Sequence, residues 1–194
     1  KKKAEEMAKQ RAGFTDRAAE RGTERARATW IFDLMEKFAG YGFNKSHSAA
    51  YALLAYQTAW LKANHPAAFM AAVMTTEMDN TDTLVVQKRE CAALAIELLP
   101  PDVNVSMHAF TVEDDNRIRY GLGAIKGVGQ GAAEHIVAQR NESGTYRSLK
   151  DFCRRVGGQR LGRRPVEALI KAGALDALGP NRPSLLAELP RAMD

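Results

Sequence analysis

Apolar residues recur at helical spacing along most of this chain, interrupted once by a short alternating stretch, so the pattern predicts a mainly α protein with one small β element. From Ala4 to about Gly22 the chain is strongly polar, with Met7, Phe14 and Ala18 as its inward candidates. Thr23 can cap a second helix running through Phe38, in which Trp30, Ile31, Leu34, Met35 and Phe38 form the apolar face. Gly40-Tyr41-Gly42-Phe43-Asn44 breaks that helix, and a long third one is predicted from Lys45 to Asn64, with Tyr51, Leu54, Thr58 and Leu61 on one face. His65-Pro66 ends it, because a residue before proline disfavours the helical region. Helices from Ala67 to about Met74 and from Asp82 to Leu98 complete this section.

The pattern then changes. Pro100-Pro101-Asp102-Val103-Asn104 reads as a loop. Phe110-Thr111-Val112 and Ile118-Arg119-Tyr120, separated by Glu113-Asp114-Asp115-Asn116, read as a small β-hairpin. Asp114 and Asp115 fall in its turn, the place of a solvated loop. Helical spacing resumes with a connector from Ser148 to Val156 (Leu149, Phe152 and Cys153 inward). A helix from Arg163 to Lys171 follows, with Val166, Leu169 and Ile170 as its core face, and a last one runs from about Arg182 to Leu189.

Between the β element and the connector lies the most informative stretch, Ile125-Lys126-Gly127-Val128-Gly129, followed at once by Gln130–Val137. A Gly-apolar-Gly turn between two apolar-periodic segments is what a helix-hairpin-helix DNA-binding element requires. The glycines let backbone approach a phosphate closely, and Val128 can turn back between the helices. The free N–H groups of the second helix then face outward, where the backbone dipoles favour an anion. Ala133 permits close helix packing, and Leu122, Ile125 and Ile136 supply the shared core. The competing reading is an ordinary Gly-rich turn. The turn Ala172-Gly173-Ala174-Leu175-Asp176 repeats the arrangement with one glycine, so the second unit is expected to be mainly structural.

Charge changes the balance between those readings. The net charge of the 194 residues is only +5, yet residues 116–173 hold twelve basic and four acidic side chains, whereas 79–115 hold two basic and eight acidic. A basic segment coinciding with the hairpin favours a phosphate-backbone partner. Cys91 and Cys153 lie far apart and form no CxxC motif, which fits a reducing interior. No apolar run approaches the roughly 20 residues needed to span a bilayer, so neither a membrane partner nor a membrane location is expected. The chain begins at Lys1-Lys2-Lys3 and enters a helical pattern directly, as a piece of a longer or processed protein would.

Several blocks carry a family resemblance. Lys1–Met7, the run Lys37-Phe38-Ala39-Gly40-Tyr41-Gly42-Phe43-Asn44-Lys45-Ser46-His47-Ser48-Ala49-Ala50-Tyr51, Tyr56–Ala63 and Phe69–Met74 resemble the fingers region of the bacterial DNA polymerase III α subunit, a C-family replicative polymerase. Tyr120–Gly129 and Lys171–Asp176 are similar to the tandem helix-hairpin-helix segment that follows the fingers there. The order is kept along essentially the whole chain.

The resemblance implies a fragment of a nucleotidyltransferase in three parts: a helical fingers section (1–98), a small β linker (99–120) and a tandem helix-hairpin-helix DNA-binding domain (121–194). Its partners would be duplex primer-template DNA and deoxynucleoside triphosphates. The sliding clamp and exonuclease would be reached through other regions of the whole protein, and the location would be cytoplasmic. The family's Mg²⁺-binding carboxylates lie in the palm, upstream of the fingers, so no catalytic or metal-binding residue is expected within these 194 positions. The isolated fragment is expected to be inactive.

Asn44 is a good N-cap, and the helix start Lys45-Ser46-His47 combines free N–H groups with an amine, a hydroxyl and an imidazole, which suits a triphosphate or a template strand. A plain capped helix with a solvated Lys45 is the alternative there. Tyr41 can stack or pack, and packing is expected of Tyr51. Lys126, Gly127, Val128 and Gly129 are the expected DNA-phosphate contacts. The runner-up function is a non-catalytic helix-hairpin-helix module of a repair or recombination protein, which would need no Gly40–Tyr51 block. A third is a scaffold whose acidic middle section binds a basic partner.

Overall fold

The computed structural model describes residues 4–41, 45–157 and 161–193. Its elements fall into two compact units, Lys1–Gln57 and Thr58–Asp194. The chain is mainly helical, with a small three-stranded sheet.

The first unit holds α1 (Ala4–Glu20), α2 (Arg25–Tyr41) and the start of α3 (Lys45–Asn64). Phe14 of α1 meets Phe32 of α2 with ring centroids 5.5 Å apart, and Arg11–Asp33 and Arg25–Asp16 ion pairs at 2.5 and 2.8 Å flank that contact. Among the described side chains of α2, Ala28 and Phe32 are buried, whereas Trp30, Leu34, Met35 and Phe38 are exposed, Phe38 by 64%. The helix therefore presents a different stripe to α1 from the one its largest apolar residues mark. The small Ala28 sits where the helices approach, and bulk alone does not reveal that position. α3 covers the predicted span, but none of its residues is buried. Tyr51 is 58% exposed, which corrects the expectation of core packing there. Asn44, the expected cap, lies outside the described residues.

In the second unit, α4 (Pro66–Thr76) begins with proline at its first position, where the missing N–H costs nothing. α5 (Thr81–Ala93) is capped by Asn80, whose side chain accepts from the Thr83 N–H at 3.2 Å. The helix stops at Ala93 and does not reach Leu98 as its periodicity predicts. Ala95 takes a left-handed conformation (φ 56°), and the Ile96 N–H turns back to the Cys91 carbonyl at 2.8 Å. Residues Glu97–Leu99 then form β1, a strand that helical periodicity had absorbed into α5.

The expected hairpin is present as β2 (Thr111–Asp114) and β3 (Arg117–Arg119), with an irregularity between Val112 and Asp114. β3 is the central strand, antiparallel to β2 and parallel to β1, with Leu98 opposite Ile118. Asp114 is tied to Arg117 at 2.6 Å. Helices α4 and α5 cover this sheet, closing a core around Met70, Met74, Cys91, Phe110 and Ile118.

The remaining elements are a 3₁₀ turn Leu122–Ala124, α6 (Gln130–Ser143), α7 (Leu149–Val156), α8 (Arg163–Ala172), a second 3₁₀ turn Asp176–Leu178, and α9 (Arg182–Met193). Their core includes Leu122, Ile125, Val128, Ile136, Phe152, Leu169 and Ile170. α9 runs past Leu189 to Met193 with Pro190 inside it, one residue type that pattern reading takes as a stop.

Two guanidinium groups fasten α6. Arg140 donates to the carbonyls of Val103 and Ser106 at 3.0 and 2.9 Å. Arg155 donates to those of Gln139 and Gly144 at 2.6 and 2.7 Å while lying 4.3 Å over the Tyr146 ring. Burial pushes the Tyr146 hydroxyl up to about 12, so it stays protonated and donates to the Ile136 carbonyl at 2.7 Å.

Candidate nucleic-acid interface

The hairpin Ile125–Gly129 is positioned from behind. Leu122 and Gly123 donate their N–H groups to the carbonyls of Met107 and His108 at 2.8 and 3.0 Å, so the segment entering the hairpin is stitched to the loop before β2. The approach is close enough to require glycine: a Cβ at Gly121 would lie 2.5 Å from the His108 carbonyl oxygen, and one at Gly123 would strike the His108 ring. The motif's first helix is thus a single 3₁₀ turn, shorter than the helix the sequence pattern suggests.

Within the hairpin, Gly127 has φ +94°, a conformation that a side chain disfavours. That turn carries Val128 inward, where it is only 4% exposed, and its N–H bonds back to the Ile125 carbonyl at 2.9 Å. Gly129 is the N-cap of α6 in extended geometry (φ −72°, ψ 162°), with no side chain to satisfy the helix start. Its carbonyl accepts from Ala132 and Ala133 at 3.0 and 3.1 Å.

The N–H groups of Gly127, Gly129, Gln130 and Gly131 have no hydrogen-bond partner among the described residues. A Cβ added at Gly129 or Gly131 would meet open space. Four unsatisfied donors at a helix start, on an open face beside the exposed Lys126, form a concentrated positive site for an anion. A cavity of about 480 Å³, lined by Met78, Asp79, Thr81 and the run Gly123–Gly129, borders the hairpin. The donors of Gln130 and Gly131 are the free N–H groups expected at the start of the second helix. The absence of any Ser, Thr, Asp or Asn at the cap leaves them without a capping side chain.

The second turn differs in its chemistry. Gly173, in left-handed geometry (φ +88°), donates to Ile170, Ala174 to Leu169 and Asp176 to Gly173, at 2.9–3.1 Å. The Arg182 guanidinium lies over Gly173 and pairs with Asp176 at 2.8 Å. Three of its donors are used and its face is covered by Arg182, so this turn offers no cradle.

The structure places Lys45, Ser46 and His47 on the first turn of α3, all exposed, with the His47 ring 4.2 Å from that of Tyr51. Among the described residues no group of three His, Cys, Asp or Glu side chains could hold a metal, and no helix is long and apolar enough to cross a membrane.

Comparison with known proteins adds to this geometry. Residues 95–185 match the family described as Helix-hairpin-helix motif, which takes in both turns just described. The whole chain is 56% identical to DNA polymerase III subunit alpha of Neisseria meningitidis serogroup B. The similarity is to one segment of that subunit. Identity is 54% over 193 residues, all of this chain, for the Escherichia coli K12 protein of the same name. It is 58% over 181 residues, 93% of this chain, for the Pseudomonas aeruginosa one. The chain spans 15–17% of the length of these relatives. The alignment with DNA polymerase III subunit alpha covers helices α1–α5 and the hairpin region together, whereas the motif family alone begins at residue 95.

Proposed function

We propose that this chain is the part of a replicative DNA-directed DNA polymerase that holds duplex primer-template by its backbone and contributes contacts to the incoming nucleotide or template. The observation that carries the reading is the row of unpartnered N–H groups at Gly127, Gly129, Gln130 and Gly131 beside Lys126, within a segment that matches a helix-hairpin-helix family. A phosphate accepting those donors would make charge-assisted hydrogen bonds and would require no particular base, so binding would be independent of sequence.

Titration of the chain against unrelated labelled duplexes by fluorescence anisotropy tests this. Similar affinities that fall steeply with salt are expected, since each phosphate contact releases counterions. Strong preference for one sequence, or binding indifferent to salt, would refute it.

For the fingers we propose that Lys45, Ser46 and His47 face the triphosphate or the template. In the whole polymerase, Lys45→Ala or His47→Ala would raise the nucleotide KM or lower kcat while leaving duplex affinity nearly unchanged. Hairpin variants would do the reverse. Wild-type nucleotide kinetics for both α3 variants would reduce this helix to structural support.

Mg²⁺ would serve the whole enzyme through carboxylates elsewhere in it, as the resemblance implies. Sliding clamp and exonuclease subunits would likewise be met through other regions, and the enzyme would work in the cytoplasm. The repair-module reading shares the hairpin but leaves the similarity of residues 1–94 to the polymerase subunit without a role.

A further inference from the structure

The hairpin shares its surface with α8. Gly127, at the bend, lies over Ala168: a Cβ built at Gly127 would come 3.8 Å from the Ala168 Cβ. Residues four before and three after a helical position share its face, so Arg164 and Lys171 stand one turn to either side of the point where α8 meets the hairpin. Both are exposed. Neither has a carboxylate within ion-pairing distance among the described residues, while neighbouring cations are engaged: Arg163 with Glu167 at 2.8 Å, and Arg182 with Asp176.

Resting on the backbone-binding reading above, we propose that Arg164 and Lys171 form a basic track with Lys126. The track would hold the duplex sugar–phosphate chain on both sides of the phosphate seated in the hairpin. Seven residues of helix separate the two cations by about 10 Å along the axis. Phosphates of one strand succeed each other about every 3.4 Å of duplex axis, so with that axis roughly parallel to α8 the two side chains stand about three phosphate steps apart. Ala168, small and placed between them, lets the hairpin bend sit close on α8, so that the phosphate seat lies between the two cations. The second motif then takes part in binding through the flank of its first helix, while its own turn is closed by Arg182.

The test uses the 194-residue chain and a labelled duplex over a salt series. Arg164→Gln with Lys171→Gln should weaken binding at least tenfold at about 0.1 M salt and lower the slope of log K against log salt by about 1.8, two contacts at about 0.9 each. Arg164→Lys with Lys171→Arg keeps both charges and should keep the slope. Lys88→Gln with Arg89→Gln removes equal charge from exposed positions of α5 and should alter the slope far less. Equal effects from the α8 and α5 pairs would overturn the track, because net charge alone would explain them. If Gly129→Ala with Gly131→Ala weakens binding and the α8 pair does not, the track falls and the hairpin reading stands. If neither pair matters, both fall.

Discussion

Replacing Gly129 and Gly131 together by alanine separates binding from stability more cleanly than any other change at the hairpin. At Gly129 the backbone is extended and the added Cβ meets nothing, so the cost is that of a poorer N-cap, about 0.5 kcal/mol. At Gly131, inside the first turn of α6, alanine recovers about 0.5–1 kcal/mol of helix propensity, again without a clash. The two nearly cancel, and the melting temperature should move by no more than about 2 °C. Binding has no such compensation. Two methyl groups beside the row of free donors hold a phosphate out of hydrogen-bonding reach, and losing a charged hydrogen bond costs about 1.5–3 kcal/mol, or roughly tenfold to 150-fold in affinity. The salt slope should drop by about 0.9. Circular dichroism melting and anisotropy titrations on the same samples decide it. A variant that melts like the parent and binds DNA with the parent's affinity and slope would refute the phosphate seat. Valine at Gly127 is a poorer probe, since φ +94° adds strain to whatever it blocks.

Other expectations concern the frame around the seat. Ala95→Gly should stabilise the chain by about 1 kcal/mol, because it relieves a left-handed alanine at the end of α5, and a lowered melting temperature would contradict that geometry. Arg155→Met should destabilise by about 1.5–3 kcal/mol in chemical denaturation, since the half-buried carbonyl of Gln139 and the exposed one of Gly144 lose a charged donor. Burial pushes the Cys153 thiol up to about 11 and raises that of Cys91. The folded state therefore holds these protons more tightly than the unfolded chain, and their contribution to stability is intact below the ordinary thiol range and lost as pH rises through the folded values. Both cysteines should resist alkylation at about pH 8, just below the ordinary thiol pKa, until denaturant is added; rapid labelling of the native chain would contradict this.

Local chemistry decided which parts of this fold could be read in advance. α3 ends where Pro66 makes it end, and the turn at Gly127 is visible because only glycine takes that conformation readily. The end of α5 was hidden because its left-handed residue is alanine, with no punctuation in the sequence, and β1 is too short for alternation to show. The packed stripe of α2 was misjudged because the helix carries two apolar faces, and contact with Phe14 selected the one containing Phe32. At the site, the glycines and Lys126 were legible. The neighbourhood of Arg164 and Lys171 was not, since it depends on Gly127 lying over Ala168, a contact between residues forty-one positions apart.

The packing of His108 against Gly121 and Gly123 has a consequence for anyone wishing to transplant this hairpin. Met107 and His108 supply the carbonyls that hold its entry, and Tyr120 packs against both the sheet core and the helical core. The distance from the central strand to the bend therefore cannot absorb an inserted or deleted residue as an ordinary connection would. A chimera spliced at Gly121 would part the turn from the backing that aims it. One that carries α4 through α9 as a single cassette would keep its bearing, and insertion scanning across residues 119–125 should find no tolerated site.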